Sequence, residues 1–387
     1  MASGSYDGVF VVGCGQTEYT RRTDKAIQRL IWEGIDLALR SANLPWKALD
    51  GLGASCFVLP PDNVTVLAEH FGLTPRWLFQ GVYGGASSII AMLHAARAIQ
   101  AGDADVVACV AADIFDVAMH NELLDRFNTS MRDYFAPYGF GGANGVFALH
   151  TRLYMERFGA TRQDFGRLCV AQRTNALLNP NALMKKPLTL EEYLSAREIA
   201  EPLRLFDCVH PCCGADAVIL ASEKVAKNLG VPLVSILGGG EQHNYPAEDI
   251  YSLRGGWEAM SERIYGQGRC SPSDLQFAQL YDDYPVMEFI QLEGLGVVPR
   301  GRTAEFLRST DVTVHGAFPI NTGGGQLSAG QAGASGGMIG VFEAVTQLRG
   351  EAGARQVSCD RGVVAGYGLV AYGRGQSSSA AILARAS

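Results

Sequence analysis

No apolar run in this 387-residue sequence approaches the ~20 residues needed to cross a bilayer, so no segment reads as a membrane span. The first residues, MASGSYDGVF, have neither the basic start nor the apolar core of an export signal, and a cytoplasmic location is expected. Positive charge is scarce as well. Lysine and arginine total 32 against 39 acidic residues, a net charge of −7, and they form no stripe. A nucleic-acid partner is therefore not expected. The nine cysteines keep no regular spacing, which argues for reduced thiols over a disulfide framework. Cys208, His210, Cys212 and Cys213 make the one cluster. Their C-x-H-x-C-C spacing matches no common zinc pattern, and no metal is expected there.

What is plentiful is apolar residues (48%, against 18% charged) and glycine, with 46 in the chain. The first implies a soluble chain with a generous core, and the second many tight turns and close backbone approaches. One stretch carries both properties. Phe79 to Gly102 (FQGVYGGASSIIAMLHAARAIQAG) predicts a strand, a turn at Gly84–Ser88 and a helix over Ile89–Gln100 that Gly102 closes. Unpaired N–H groups and positive dipole gather at such a helix start, where an anion, an oxyanion or an activated nucleophile can sit.

Along the chain, Gly8–Gly15, Gly51–Val58 and Ala104–Ala112 predict buried strands, with a helix over Lys25–Ser41 capped by Thr23 and Asp24. From about 113 to 210 the pattern turns to helices and loops. Thr161 and Asp164 suggest a capping box, and Leu190–Ala200 reads as a helix. Strands are expected at Gly214–Ala221, Val234–Gly238 and Phe277–Tyr281, then a helix at Met287–Leu295. After the glycine-rich runs 322–325 and 330–337 come the helix Met338–Leu348 and strands Val363–Val370 and Ser378–Leu383. Strand, glycine turn, helix and strand thus occur in both parts, a weak internal repeat that predicts sheets covered by helices.

Five ordered segments resemble the thiolase superfamily, in particular its lipid-transfer-protein (sterol-carrier-protein thiolase-like) branch. Tyr83–Gly102 looks like the nucleophile turn and buried helix, and Ala143–Ala176 like the loop domain. Tyr281-Asp282-Asp283-Tyr284 stands at an HDCF-like motif, Asn321–Gly333 at N-x-x-G-G…G-H-P-x-G, and Tyr372–Leu383 at C-x-G-G-G-x-G. The resemblance implies an α/β thiolase fold of five layers, αβαβα, built from two similar halves. The expected units are 1–254, carrying the helical loop domain at about 113–210, and 255–387. It also implies a homodimer joined through the first half.

The departures from that pattern direct the chemistry. Gly85 stands where the family has its nucleophilic cysteine, Gln331 where it has the histidine of G-H-P, and Tyr372 near its second cysteine. Without thiolate or base, ordinary thiolysis is not expected. Cys56 and Cys109, in apolar strands, read as packing residues. Within the branch, thiolase-like aldolases cleave β-hydroxyacyl-CoA side chains without an acyl-enzyme. The resemblance then implies thioester or oxyanion contacts at Gly84, Gly85, Ser87, Asn321 and Gln331. The candidate bases are Tyr372, with Arg374 as its neighbour, Tyr281, Tyr284, Tyr367 and Asp282 or Asp283. Against this, such aldolases carry a tyrosine near the position of Gln331. Coenzyme A is expected as part of the substrate, with no tightly bound cofactor, and a small zinc-ribbon/OB-fold partner is implied. An acyltransferase with a displaced nucleophile and a silent acyl-CoA-binding subunit remain as alternatives. Loops 113–210 and 240–275 are expected to line the substrate side, through aromatics that include Phe127, Tyr134, Tyr138, Tyr251 and Trp257.

Overall fold

The computed structural model describes residues 5–125, 128–140, 142–249, 251 and 253–386. Among the described residues there are eleven strands: β1 (Val9–Gln16), β2 (Gly51–Ser55), β3 (Trp77–Gln80), β4 (Val106–Ile114), β5 (Glu198–Ala200), β6 (Leu203–Arg204), β7 (Cys213–Ser222), β8 (Val234–His243), β9 (Ala278–Gln279), β10 (Arg361–Ala371) and β11 (Arg374–Arg385). Nine form one sheet in the order β3-β2-β4-β7-β1-β8-β11-β10-β9, and β5 pairs with β6 alone. The pairs β3–β2, β2–β4 and β10–β9 are parallel and the others antiparallel. β8 pairs with β11 along its length but meets β1 only at Val234 and Ser235. The sheet is thus two sets of strands joined by a narrow seam.

Three layers of helix cover these two sets. The Ile27–Ser41 helix packs Ile31, Ile35 and Leu39 on the outer face of β1, β4 and β7. The Ser87–Ala101 and Ile339–Arg349 helices lie between the sets, sharing one core with residues such as Val107, Leu220, Val364 and Leu383 from both. The Gly256–Gly268 and Pro285–Gly294 helices cover the far side with the loop-domain helices. This αβαβα stacking is the expected thiolase fold. The Ser87–Ala101 helix is apolar or small apart from His94, Arg97 and Gln100 because both of its faces are largely covered, and its buried residues extend from Ser87 to Ile99.

Local differences from expectation have local causes. The Ile27–Ser41 helix starts at an extended Ala26 with no side-chain cap; Thr23 only accepts a hydrogen bond from Lys25 N. The Leu190–Ala200 segment is helical only to Ser195, after which Glu198–Ala200 pairs with Leu203–Arg204. Pro202 can supply no helical N–H and disfavours helix in the residue before it. β3 stops at Gln80, because Tyr83 N is bound by Ser87 Oγ (2.9 Å) and begins the turn. The Asp164 carboxylate accepts from Thr161 N at 2.8 Å, as a capping box requires.

Candidate active site

The Gly84–Ser88 turn owes its shape to close backbone contacts. Gly84 has φ +56, and a Cβ there would sit 2.9 Å from Leu369 N. A Cβ on Gly368 would meet Tyr83 O at 2.3 Å and Gly85 N at 2.5 Å. These glycines let β10 lie directly against the turn. Gly85 is the informative one. A Cβ on it would fall 2.0 Å from Tyr281 Cε2 and 2.6 Å from Tyr367 O. The space that a side chain at position 85 needs is already occupied by the ring of Tyr281.

Tyr281 is held there by its own backbone. Its N–H is accepted by Gln291 Oε1 (2.9 Å) and its C=O takes Gln291 Nε2 (2.7 Å), while Leu280 N binds Asn321 Oδ1 (2.7 Å). Asp282 turns away from the ring. Its carboxylate accepts from Gln326 N (2.8 Å) and Leu327 N (3.1 Å), fixing the start of the Gly325–Ala329 helix. Asp283 faces the other way, accepting from Tyr284 N (3.0 Å). The Tyr284 hydroxyl binds Asn144 Oδ1 (2.7 Å), and its ring stacks on Phe147 at 4.4 Å.

These groups open on a cleft of about 720 Å³, its mouth included. Of the residues expected at the site, Gly84, Gly85, Tyr281, Tyr284, Tyr367 and Gln331 line it. Asp282, Ser87 and Asn321 stand behind the wall and hold backbone: Ser87 fixes Tyr83, and Asn321 (φ +47) spans Leu280 N and Glu288 Oε2. Tyr372 is elsewhere, 54% exposed in the β10–β11 turn at φ +48, its N–H on Ser130 Oγ. Arg374 serves Asn244 and Tyr245. Asp283, named as an alternative base, does line the cleft, and His120 lines it with no signal in the sequence to single it out. Leu123, Met131, Ala143 and Val209 come from the 113–210 region, but none of the described residues of 240–275 lines it. Trp257 is core, Tyr134, Tyr138 and Tyr251 are exposed, and Phe127 lies outside the described residues.

Burial dominates the electrostatics. It pushes Asp283 well above the usual carboxylate range, with Asp282 adding to the rise. It raises Tyr281, Tyr284 and Tyr367 too, and the Asp283 charge pushes each further up. Among the described residues, the Gln331 side chain, which lines the same cleft, is the neighbour that pulls the Tyr281 phenol back down. All nine thiols are free and raised by burial, and none is among the described lining residues. No described group of three His, Cys, Asp or Glu residues is arranged to hold a metal. No described helix is long and apolar enough to cross a membrane.

Comparison with known proteins agrees with this architecture. Residues 241–385 match the family described as thiolase C-terminal domain-like. The 17-hydroxy-3-oxo-4-pregnene-20-carboxyl-CoA lyase of Mycobacterium tuberculosis is 33% identical over 88% of this chain and 91% of its own. The steroid side-chain-cleaving aldolase of Thermomonospora curvata is 31% identical over 88% and 90%. Among solved structures, the Ltp2-ChsH2(DUF35) aldolase superposes with a TM-score of 0.85 at 28% identity, covering 98% of each chain. With a Gly85 turn and a tyrosine ring where thiolases keep a cysteine, and with relatives of this length and identity, the chain belongs to the thiolase superfamily, within its sterol-carrier-protein thiolase-like branch of side-chain aldolases.

Proposed function

We propose that this protein is a carbon–carbon lyase that cleaves a β-hydroxyacyl-CoA by retro-aldol chemistry. The observation that carries this is the Tyr281 ring filling the space of a side chain at position 85. An acyl-enzyme has no atom to form on, and every thiol in the chain is raised by burial, which disfavours the thiolate that acyl transfer needs. Retro-aldol cleavage needs none. Tyr281 takes the proton of the β-hydroxyl as its own moves toward Asp283, whose raised pKa suits it to receive one. The Cα–Cβ bond then breaks, the hydroxyl carbon becomes a carbonyl, and the electron pair passes into the thioester as an enolate. N–H groups of the Gly84–Ser87 turn hold its oxygen. Proton return at Cα completes a shortened acyl-CoA. Coenzyme A enters as part of the substrate, and the chemistry calls for no further cofactor.

The apolar walls from Leu123, Met131, Val209 and Val370 suit a ring-bearing acyl group of the kind in the relatives' names. A separate small zinc-ribbon/OB-fold subunit would present the CoA end, in keeping with the DUF35 component of the Ltp2-ChsH2(DUF35) aldolase. A homodimer through the first half is supported by β3, the edge strand of the nine-stranded sheet among the described residues. The test uses 17-hydroxy-3-oxo-4-pregnene-20-carboxyl-CoA, with and without such a subunit and without free CoA. Release of the 17-ketone and propionyl-CoA is expected. Product formation only when free CoA is added, with an acyl group transferred to it, would overturn the lyase assignment.

A further inference from the structure

We infer that His120 is a positioning residue whose ring N–H locks the Gln331 amide so that its NH₂ group faces the Tyr281 hydroxyl. The geometry is a chain of side chains from three separate parts of the sequence. His120 Nε2 lies 3.1 Å from Gln331 Oε1, and Gln331 Nε2 donates to Gln326 Oε1 at 2.9 Å. Gln326 in turn lies against Asp282, with its side-chain nitrogen 3.5 Å from Oδ1 and its backbone N–H at 2.8 Å. Gln331 and Tyr281 line the same cleft, and the Gln331 side chain lowers the Tyr281 phenol.

Direction along this chain is set at both ends. An amide can present either its oxygen or its nitrogen, and nothing local decides between them. An ionised Asp282 only accepts, so it draws the NH₂ of Gln326 and leaves Gln326 Oε1 for Gln331 Nε2. Gln331 Oε1 must then find a donor, and His120 is the side chain facing it. A neutral imidazole with its proton on Nε2 meets that need. Burial keeps His120 neutral, lowering it to about 4. With Oε1 facing His120 and one N–H on Gln326, the other N–H of Gln331 is the group left to meet the phenol, where it would favour the phenolate. The other titratable side chains around that phenol are Asp283 and Tyr284 of its own loop and Tyr367 of β10, with Asp282 behind. No lysine or arginine is among the described lining residues. A neutral donor of fixed orientation is therefore the available means of holding down the Tyr281 pKa.

The inference rests on Tyr281 being the reacting phenol, and its test separates the two. A trifluorotyrosine placed at position 281 of the full chain brings the phenol's titration into a stable pH range, read by ¹⁹F NMR without substrate. His120→Ala is expected to raise that titration by about one to two pH units. His120→Gln, whose amide N–H replaces the ring donor, should restore it. In turnover, His120→Ala should lower kcat roughly tenfold at unchanged KM, and His120→Ala/Gln331→Ala should be no slower than Gln331→Ala. An unmoved resonance in His120→Ala, or a double variant slower by the product of the two single losses, would overturn the role of His120. A shifted resonance in a chain that shows no lyase turnover would support the His120 lock while telling against the lyase assignment.

Discussion

Two tyrosine-bearing turns could each have carried the chemistry of this protein, and they differ in everything except the phenol. Tyr281 sits in a corner whose backbone is bound by Gln291 and Asn321, its ring against Gly85 and in one cleft with Gln331. Tyr372 sits at the tip of the β10–β11 hairpin, 54% exposed, its ring 6.5 Å from that of Tyr134. Water solvates the second and levels its chemistry. The first lies among carboxyls in a buried wall, where a single oriented donor changes the balance between phenol and phenolate. Position in a family pattern favoured Tyr372, and burial favours Tyr281.

The sharpest way to break this contrast is to remove each hydroxyl in turn. Tyr281→Phe should cost roughly 10²–10⁴ in kcat, whereas Tyr372→Phe should stay within about twofold. Steady-state lyase kinetics would decide, and equal losses would erase the distinction. A smaller effect tests why the corner has room for its ring. Gly85→Ala should destabilise the fold by about 1–3 kcal/mol, because the new Cβ overlaps Tyr281. The same change in a Tyr281→Ala background should cost less. Denaturant midpoints measure both, and an identical cost in the two backgrounds would remove the steric link. Gly85→Cys should bring no thiolysis, since the thiol meets the same ring.

The last effect concerns the wall of the cleft and builds up over several pH units. Asp113 binds Phe57 N, Val58 N and Ala334 N, which ties the first-part loop to the Gly333 segment. Burial raises this carboxyl to about 7. Between roughly pH 4 and 7 the folded protein therefore holds a proton that the unfolded chain has released. Stability falls as pH rises through that window, by up to ~1.4 kcal/mol per pH unit from this group. Asp113→Asn should flatten that slope in urea titrations at a series of pH values. A slope unchanged by the substitution would mean that Asp113 is ionised throughout.

Much of the fold was legible because its signals are local. Within the expected strand Ala104–Ala112, Val106–Ala112 is a continuous apolar run, and the Ser87–Ala101 helix is small or apolar apart from His94, Arg97 and Gln100. Glycine spacing marked both tight turns. The site was legible only in part. Gly84, Gly85, Tyr281, Tyr284, Tyr367 and Gln331 fell where a family pattern points, whereas Asp282 and Asn321 proved to hold backbone behind the wall. His120 had no local mark. It lies 211 residues from Gln331, in a helix whose sequence resembles any other surface helix.

The sequence by itself determined the layers, the glycine turns and the loss of the thiolase cysteine and histidine, since composition and periodicity act over a few residues. Tertiary structure alone decided which phenol faces the cleft and which of two adjacent aspartates joins it. A one-residue step along the Tyr281–Tyr284 corner reverses the direction of a side chain, and only packing against Gly85, Gln326 and Gln331 settles which way each one points.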